Sequence, residues 1–214
     1  MIELEYIYFI IISYLLGSFP SAILLGKLFY NIDVREFGSG NAGATNTFRV
    51  LGKKAGLPVL FFDVFKGFIS VNLIVFLDII PYSMDGVFEL QLTFGIAAVI
   101  GHLFPVFTGF RGGKGIATLL GILIAIHPFA AFYSSLVFVI IFLIFKFVSL
   151  ASILASFSFP ILIYLLSDSS SNSLIIFSIF VPILTLITHQ KNIERLIRGE
   201  ESKAKILKKK KNEK

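Results

Sequence analysis

The feature that most constrains this chain is where its charges are missing. Glu5 to Lys27, Glu89 to Arg111, Lys146 to Asp168 and Asp168 to Lys191 each enclose a run without Asp, Glu, Lys or Arg. A helix needs about 20 such residues to cross a hydrocarbon core about 30 Å thick, and each run supplies about that many. Ala55 to Ile80 is a further candidate crossing, with Asp63 and Lys66 embedded near its start and Asp78 at its end. Between Lys114 and Lys146 the uncharged stretch is too long for one helix, and His127-Pro128 sits in its middle. It reads as two short helices with a tight turn, since proline ends one helix and can begin another. The expected fold is therefore all-α, a polytopic bundle of about seven transmembrane helices; five spans plus a re-entrant pair is the alternative. With 56% hydrophobic residues over 214 positions, an ordinary soluble domain is excluded.

The charges that remain give the bundle a direction. Glu3, Glu5, Asp78, Asp85, Glu89 and Asp168 flank one set of helix ends without any Lys or Arg. Lys and Arg fall at the opposite ends, which predicts an outside N-terminus and a cytoplasmic C-terminus. Residues 1–202 then form the membrane domain and 203–214 a basic cytoplasmic tail able to meet anionic headgroups. The net charge of +6 reflects this topology and carries no expectation of nucleic acid. Glu3 and Glu5 stand where a cleavable signal peptide would be basic. The chain has no cysteine, hence no disulfide framework, no thiolate nucleophile and no Cys-based metal site.

Three polar islands interrupt the apolar background, all on the predicted cytoplasmic side. The first runs from Phe37 to Arg49. Gly38, Gly40 and Gly43 permit close approach of backbone to a ligand, and Ser39, Asn41, Thr45 and Asn46 add short polar side chains. Arg49 adds a bidentate cation, so the loop suits an anion, although alone it reads equally as a helix connection. The first helix, from about Leu4 to Tyr30, is broken just before it by Gly17-Ser18-Phe19-Pro20. Asp63 and Lys66, at i and i+3 on one helix face, read as an ion pair, as ligand contacts, or as both.

The second island holds Gly101-His102 and then Gly109 to Thr118, with Arg111 and Lys114 interleaved among Gly109, Gly112, Gly113 and Gly115. Cations and amide groups just before a helix suit a phosphate. It is not a Walker A loop: Thr108 occupies the first glycine's place and Gly115 replaces the magnesium-binding Ser/Thr. His102 alone reads more readily as a packing residue. In the third island, His189 and Asn192, at i and i+3, share a helical face, with Lys191 between them and Arg195, Arg198 and Glu201 after them. A basic flank to the last helix accounts for the cations but not for His189 and Asn192. No Gly-x-Ser-x-Gly elbow, His-Glu-x-x-His zinc helix or His-x-x-x-x-Asp acyl-CoA motif is present, and no cofactor or metal is expected.

In order and content, Gly38 to Arg49, Gly101 to Thr118 and His189 to Glu201 resemble the bacterial acyl-phosphate:glycerol-3-phosphate acyltransferases of the PlsY type. The resemblance covers essentially the whole chain; Asp63 with Lys66-Gly67 also fits, and Arg111 stands where the family commonly has lysine. It implies transfer of a fatty acyl group from acyl phosphate to the 1-hydroxyl of glycerol 3-phosphate, giving lysophosphatidate and phosphate. That reaction is the first acylation of bacterial phospholipid synthesis. On the same ground Ser39, Arg49, His189 and Asn192 are the expected catalytic residues. The expected substrate-binding set is Gly38, Gly40, Asn41, Thr45, Asn46, Lys66, His102, Arg111, Gly112, Gly113, Lys114 and Gly115. A monomer in the cytoplasmic membrane, linked functionally to the enzyme that makes acyl phosphate, is implied as well. A transporter for an organic phosphate is the competing class, since broken helices and cationic loops are common to both.

Overall fold

The structure is a computed structural model that describes residues 4–77, 84–166 and 171–204. Among these residues every regular element is a helix and none is a strand. The helices are α1 (Leu4–Ser18), α2 (Ser21–Tyr30), α3 (Ala44–Leu51), α4 (Lys53–Asn72), α5 (Met84–Leu103), α6 (Ile116–Ile126), α7 (Pro128–Phe145), α8 (Val148–Leu166), α9 (Asn172–Thr188) and α10 (Gln190–Ile197). The flanking charges Glu3, Asp78 and Asp168, and the tail from 205 onward, lie outside the described residues.

Four stretches (α4 with its 3₁₀ extension, α5, α7 and α8) are long and apolar enough to cross a membrane. Counting two bent pairs as single spans raises the number to six. The first pair is α1 with α2, bent by 41° where Phe19-Pro20 interrupts the helix, as the proline predicts. The second is α9 with α10, bent by 65° at His189. Of the seven helices expected, α6 falls short: its 11 residues rise about 17 Å, roughly half a hydrocarbon core. The turn after it forms where His127-Pro128 requires it. Pro128 opens α7, and His127 Nδ1 accepts from the Ala130 amide at 3.2 Å, which satisfies one first-turn donor.

Lipid offers no hydrophobic force to draw helices together, so packing depends on small residues that let backbones touch. At the α1–α5 crossing a β-carbon on Gly17 would lie 2.0 Å from the Ala98 carbonyl oxygen. At the α4–α6 crossing one on Gly121 would lie 1.9 Å from the Val64 oxygen, and one on Gly67 2.1 Å from the Thr118 oxygen. Beside these seams Val71, Leu92, Val99, Leu119, Ile122, Phe159, Ile163 and Phe177 form the buried core. The short helix α6 is thereby locked to α4, which fixes its N-terminus at the end of the second island.

Gly121→Ala is expected to force α4 and α6 apart, because backbone atoms cannot yield as a side chain can. Overpacking costs about 1–3 kcal/mol, a fall of about 5 °C in thermal midpoint in detergent. An unchanged midpoint would show that the crossing is looser than described.

Candidate active site

The first island is built around a buried side chain. Asn46, on the inward face of α3, is 1% exposed. Its Nδ2 donates to the carbonyls of Val34 (2.7 Å) and Phe37 (3.1 Å). Its Oδ1 accepts from the Ser39 amide at 2.9 Å and from Ser39 Oγ at 3.2 Å. Both ends of the amide are thus committed to the chain, and Asn46 holds the loop instead of offering a group to a ligand. Gly38 adopts φ +64°, and a β-carbon there would stand 2.4 Å from Asn46 Oδ1 and 3.4 Å from Arg49 Cδ. Only glycine lets the loop lie this close to α3. Ser39, Gly40, Thr45 and Arg49 are exposed and Asn41 is half-buried, so Arg49 runs alongside Gly38 with its charge available.

The second island folds back on the end of α5. The Gly112 amide donates to the Leu103 carbonyl at 3.2 Å and the Gly113 amide to that of His102 at 3.1 Å. These two amides, expected to cradle phosphate, are therefore spent within the loop. The glycines are needed for proximity: a β-carbon on Gly112 would meet the His102 oxygen at 2.0 Å, and one on Gly113 would meet His102 Nε2 at 2.1 Å. The donors left for a ligand are Lys114 and the first-turn amides of α6, which no helix satisfies internally. Gly115, at φ +82°, caps that helix, and Arg111 is exposed.

The third island clasps the second. Lys114 Nζ donates to Asn192 Oδ1. Asn192 Nδ2 donates to Glu201 Oε1 at 2.7 Å, Ser149 Oγ to the same oxygen at 2.8 Å, and Arg195 Nε to Glu201 Oε2 at 2.7 Å. Burial raises the Glu201 pKa, but the bonds from Arg195, Asn192 and Ser149 outweigh it and hold the carboxyl below its usual range. His189 is 3% exposed, and its Nδ1 lies 2.9 Å from the Thr185 carbonyl. A carbonyl can only accept, so Nδ1 carries a proton, while Nε2 makes no hydrogen bond among the described residues.

The islands meet around Lys114. Arg35, just ahead of the first island, donates from Nη1 to the Thr108 carbonyl at 3.0 Å, just ahead of the glycine run of the second, and a β-carbon on Gly43 would lie 4.0 Å from Gly113 Cα. The Arg35 guanidinium is itself held by Asp33, whose carboxyl it keeps below the ordinary aspartate range. Ala42 shares a small polar cavity with Ser18, Lys66, His102, Gly112 and Gly113. Burial pushes the Lys114 ammonium down to about 8; Glu201 opposes the shift, while the charges of Arg195 and Arg49 add to it. Three cations and one carboxylate in so small a space leave an excess of positive charge, as an anion site requires.

Lys66 is placed lower. It is 6% exposed, paired with Asp63 Oδ1 at 2.9 Å, and donates to the Phe19 carbonyl at 3.3 Å. Ser21 Oγ donates to the same Asp63 oxygen at 2.7 Å. The ion pair thus ties α4 to the break between α1 and α2. Sequence reasoning missed Asp33, Arg35, Ser21 and Ser149. Asp33 and Arg35, two residues apart, form a local pair that spacing could have flagged; nothing local marks the two serines. An apolar crevice of about 420 Å³ adjoins the polar cavity, and Phe19 and Lys66 line both. Its other walls include Ile12, Leu15, Phe62, Phe65 and Phe107.

Comparison with known proteins follows the same lines. The family model described as glycerol-3-phosphate acyltransferase matches residues 7–199. Glycerol-3-phosphate acyltransferases of Staphylococcus aureus strains RF122 and JH9 are each 44% identical over 200 residues, covering 92% of this chain and 96% of the relative. The crystal structure of PlsY (YgiH), an integral membrane glycerol 3-phosphate acyltransferase, superposes in its glycerol 3-phosphate form with a TM-score of 0.84 at 37% identity. That match covers 94% of this chain and 96% of the other; the lysophosphatidic acid form gives 0.81 at 36% over the same shares.

Proposed function

The chain belongs to the glycerol-3-phosphate acyltransferase family, and on that premise we propose that it takes its acyl group from an acyl phosphate. The acyl group passes to the 1-hydroxyl of glycerol 3-phosphate, and the products are lysophosphatidate and inorganic phosphate. The observation that carries this reading is the meeting of three cationic islands around Lys114 beside an apolar crevice. Two phosphate-bearing substrates need two anion sites, and the acyl chain of one needs an apolar seat. The solved glycerol 3-phosphate and lysophosphatidic acid forms of the relative PlsY (YgiH) support substrate and product.

The hydroxyl oxygen attacks the acyl carbonyl carbon, the carbonyl–phosphate bond breaks, and the departing phosphate can take the hydroxyl proton. An acyl phosphate is already an activated anhydride, so the protein mainly positions and neutralises. Arg49 and the first-turn amides of α3 face the donor phosphate. Ser39 Oγ exchanges its bond to Asn46 for one to the donor, a near-even exchange in energy. Lys114 and the first turn of α6 hold the glycerol 3-phosphate. His189, with a free Nε2, orients the attacking hydroxyl, while Asn192 holds Lys114 in place. The crevice between α1 and α4 takes the acyl chain from the lipid phase. We place the enzyme as a monomer in the bacterial cytoplasmic membrane with this end toward the cytoplasm. There it performs the first acylation of phospholipid synthesis with acyl phosphate made by a partner enzyme.

Purified protein in lipid cubic phase or micelles tests the reaction. Phosphate and lysophosphatidate released in equal amounts from acyl phosphate and glycerol 3-phosphate are expected, with no turnover of acyl-CoA supplied in parallel. Turnover with acyl-CoA alone would overturn the donor.

A further inference from the structure

The proposed mechanism leaves Asp63 and His102 without a direct part, yet they are among the most buried polar side chains of the molecule, at 1% and 6% exposure. Asp63 Oδ1 is fully engaged by Lys66 and Ser21, which neutralise the carboxylate and fix it to the helix break. His102 is therefore surplus to charge balance. Its Nδ1 faces the same oxygen at 3.8 Å without a hydrogen-bond partner, and Asp63 Oδ2 has none either. A phenyl ring would fill the space at no polar cost, whereas buried polar atoms left unpaired are costly.

The far edge of the ring explains the choice. His102 Nε2 packs directly on Gly113, close enough to exclude a β-carbon, and the His102 carbonyl accepts from the Gly113 amide. The next residue is Lys114. At 3.8 Å the carboxylate makes no hydrogen bond to Nδ1, but its charge favours the tautomer that carries its proton on that side. We infer that Asp63 and His102 are positioning residues. Held between the charge of the Asp63 carboxylate on one edge and Gly113 on the other, the imidazole sets the height of Gly113 and so aims the Lys114 ammonium at its phosphate. Which phosphate that is rests on the reading above, glycerol 3-phosphate.

The test is a cycle of His102→Phe, Asp63→Asn and the double variant, with Lys114→Met as reference. Both KM values, kcat and the thermal midpoint are measured for each. His102→Phe keeps a ring in place and removes the polar edge that faces Asp63. It is expected to raise the glycerol 3-phosphate KM about tenfold, with kcat within about threefold and the acyl-phosphate KM unchanged. Asp63→Asn should shift the same constant, and the double variant should be no worse than the single ones, because both act through one ring. Wild-type KM values in His102→Phe, effects that multiply, or a fall in kcat and midpoint with both KM values in place would overturn the inference. If Asp63→Asn does not fold, His102→Phe against Lys114→Met decides alone. Should Lys114→Met move the acyl-phosphate KM instead, the substrate assignment fails. The positioning role then stands only if His102→Phe moves that same constant.

Discussion

Replacing Ser39 by Ala is expected to lower kcat by about 10²- to 10³-fold, the usual cost of losing one donor to a developing oxyanion. The protein should remain folded. Ser39 Oγ makes one bond in the structure, at 3.2 Å to Asn46 Oδ1, and that oxygen keeps the Ser39 amide at 2.9 Å when the hydroxyl is gone. The loop therefore stays clamped to α3 through Val34, Phe37 and the backbone of residue 39. Its exposure removes any packing penalty. The measurement is steady-state turnover with saturating acyl phosphate, alongside the thermal midpoint. Turnover within a few-fold of wild type would remove Ser39 from the chemistry, and a collapse of the midpoint would mean that the hydroxyl is needed for the loop itself.

Replacing Lys114 by Met should raise the KM for glycerol 3-phosphate by roughly 10- to 100-fold, because a hydrogen bond to a charged group is worth about 1.5–3 kcal/mol. Titration of the wild-type enzyme gives an independent check on the same residue. Its pKa is depressed to about 8, so the free enzyme holds a protonated ammonium below that pH and loses it as pH rises through it. A phosphate monoester, with its second pKa near about 6, stays dianionic over that range. The value of log(kcat/KM) for glycerol 3-phosphate should therefore be level just below pH 8 and fall above it, by at most about one unit per pH unit. Lys114→Arg keeps a charge at every accessible pH and should lose this limb, though with weaker binding, since the guanidinium cannot occupy the same point. A limb that persists in the arginine variant would belong to another group.

Much of this could be read in the chain itself. The break at Phe19-Pro20, the turn at His127-Pro128 and the three islands all lie where glycine, proline and charge placed them. Such features are local: proline lacks its amide wherever it stands, and an uncharged run of 20 residues is apolar in any fold. The membership of the islands was legible as well.

The division of labour inside the islands was not legible. By itself the sequence determined a helical membrane bundle with cationic, glycine-rich loops gathered at one end. Only the tertiary structure decided which polar groups stay exposed and which are taken up by the protein itself. Asn46 and Ser39 look alike as short polar loop residues, yet α3 turns one inward to 1% exposure and leaves the other exposed. Gly112 and Gly113 look like phosphate-facing amides until the end of α5 takes both of them. Lys114 and Asn192 are 78 positions apart, and no periodicity relates them. The α4–α6 glycine seam and the bend at His189 bring them together. Hydropathy and helix period report what each residue tolerates locally; the partner of a hydrogen bond depends on where two distant segments are packed, and that is set by close contacts such as Gly121 on Val64.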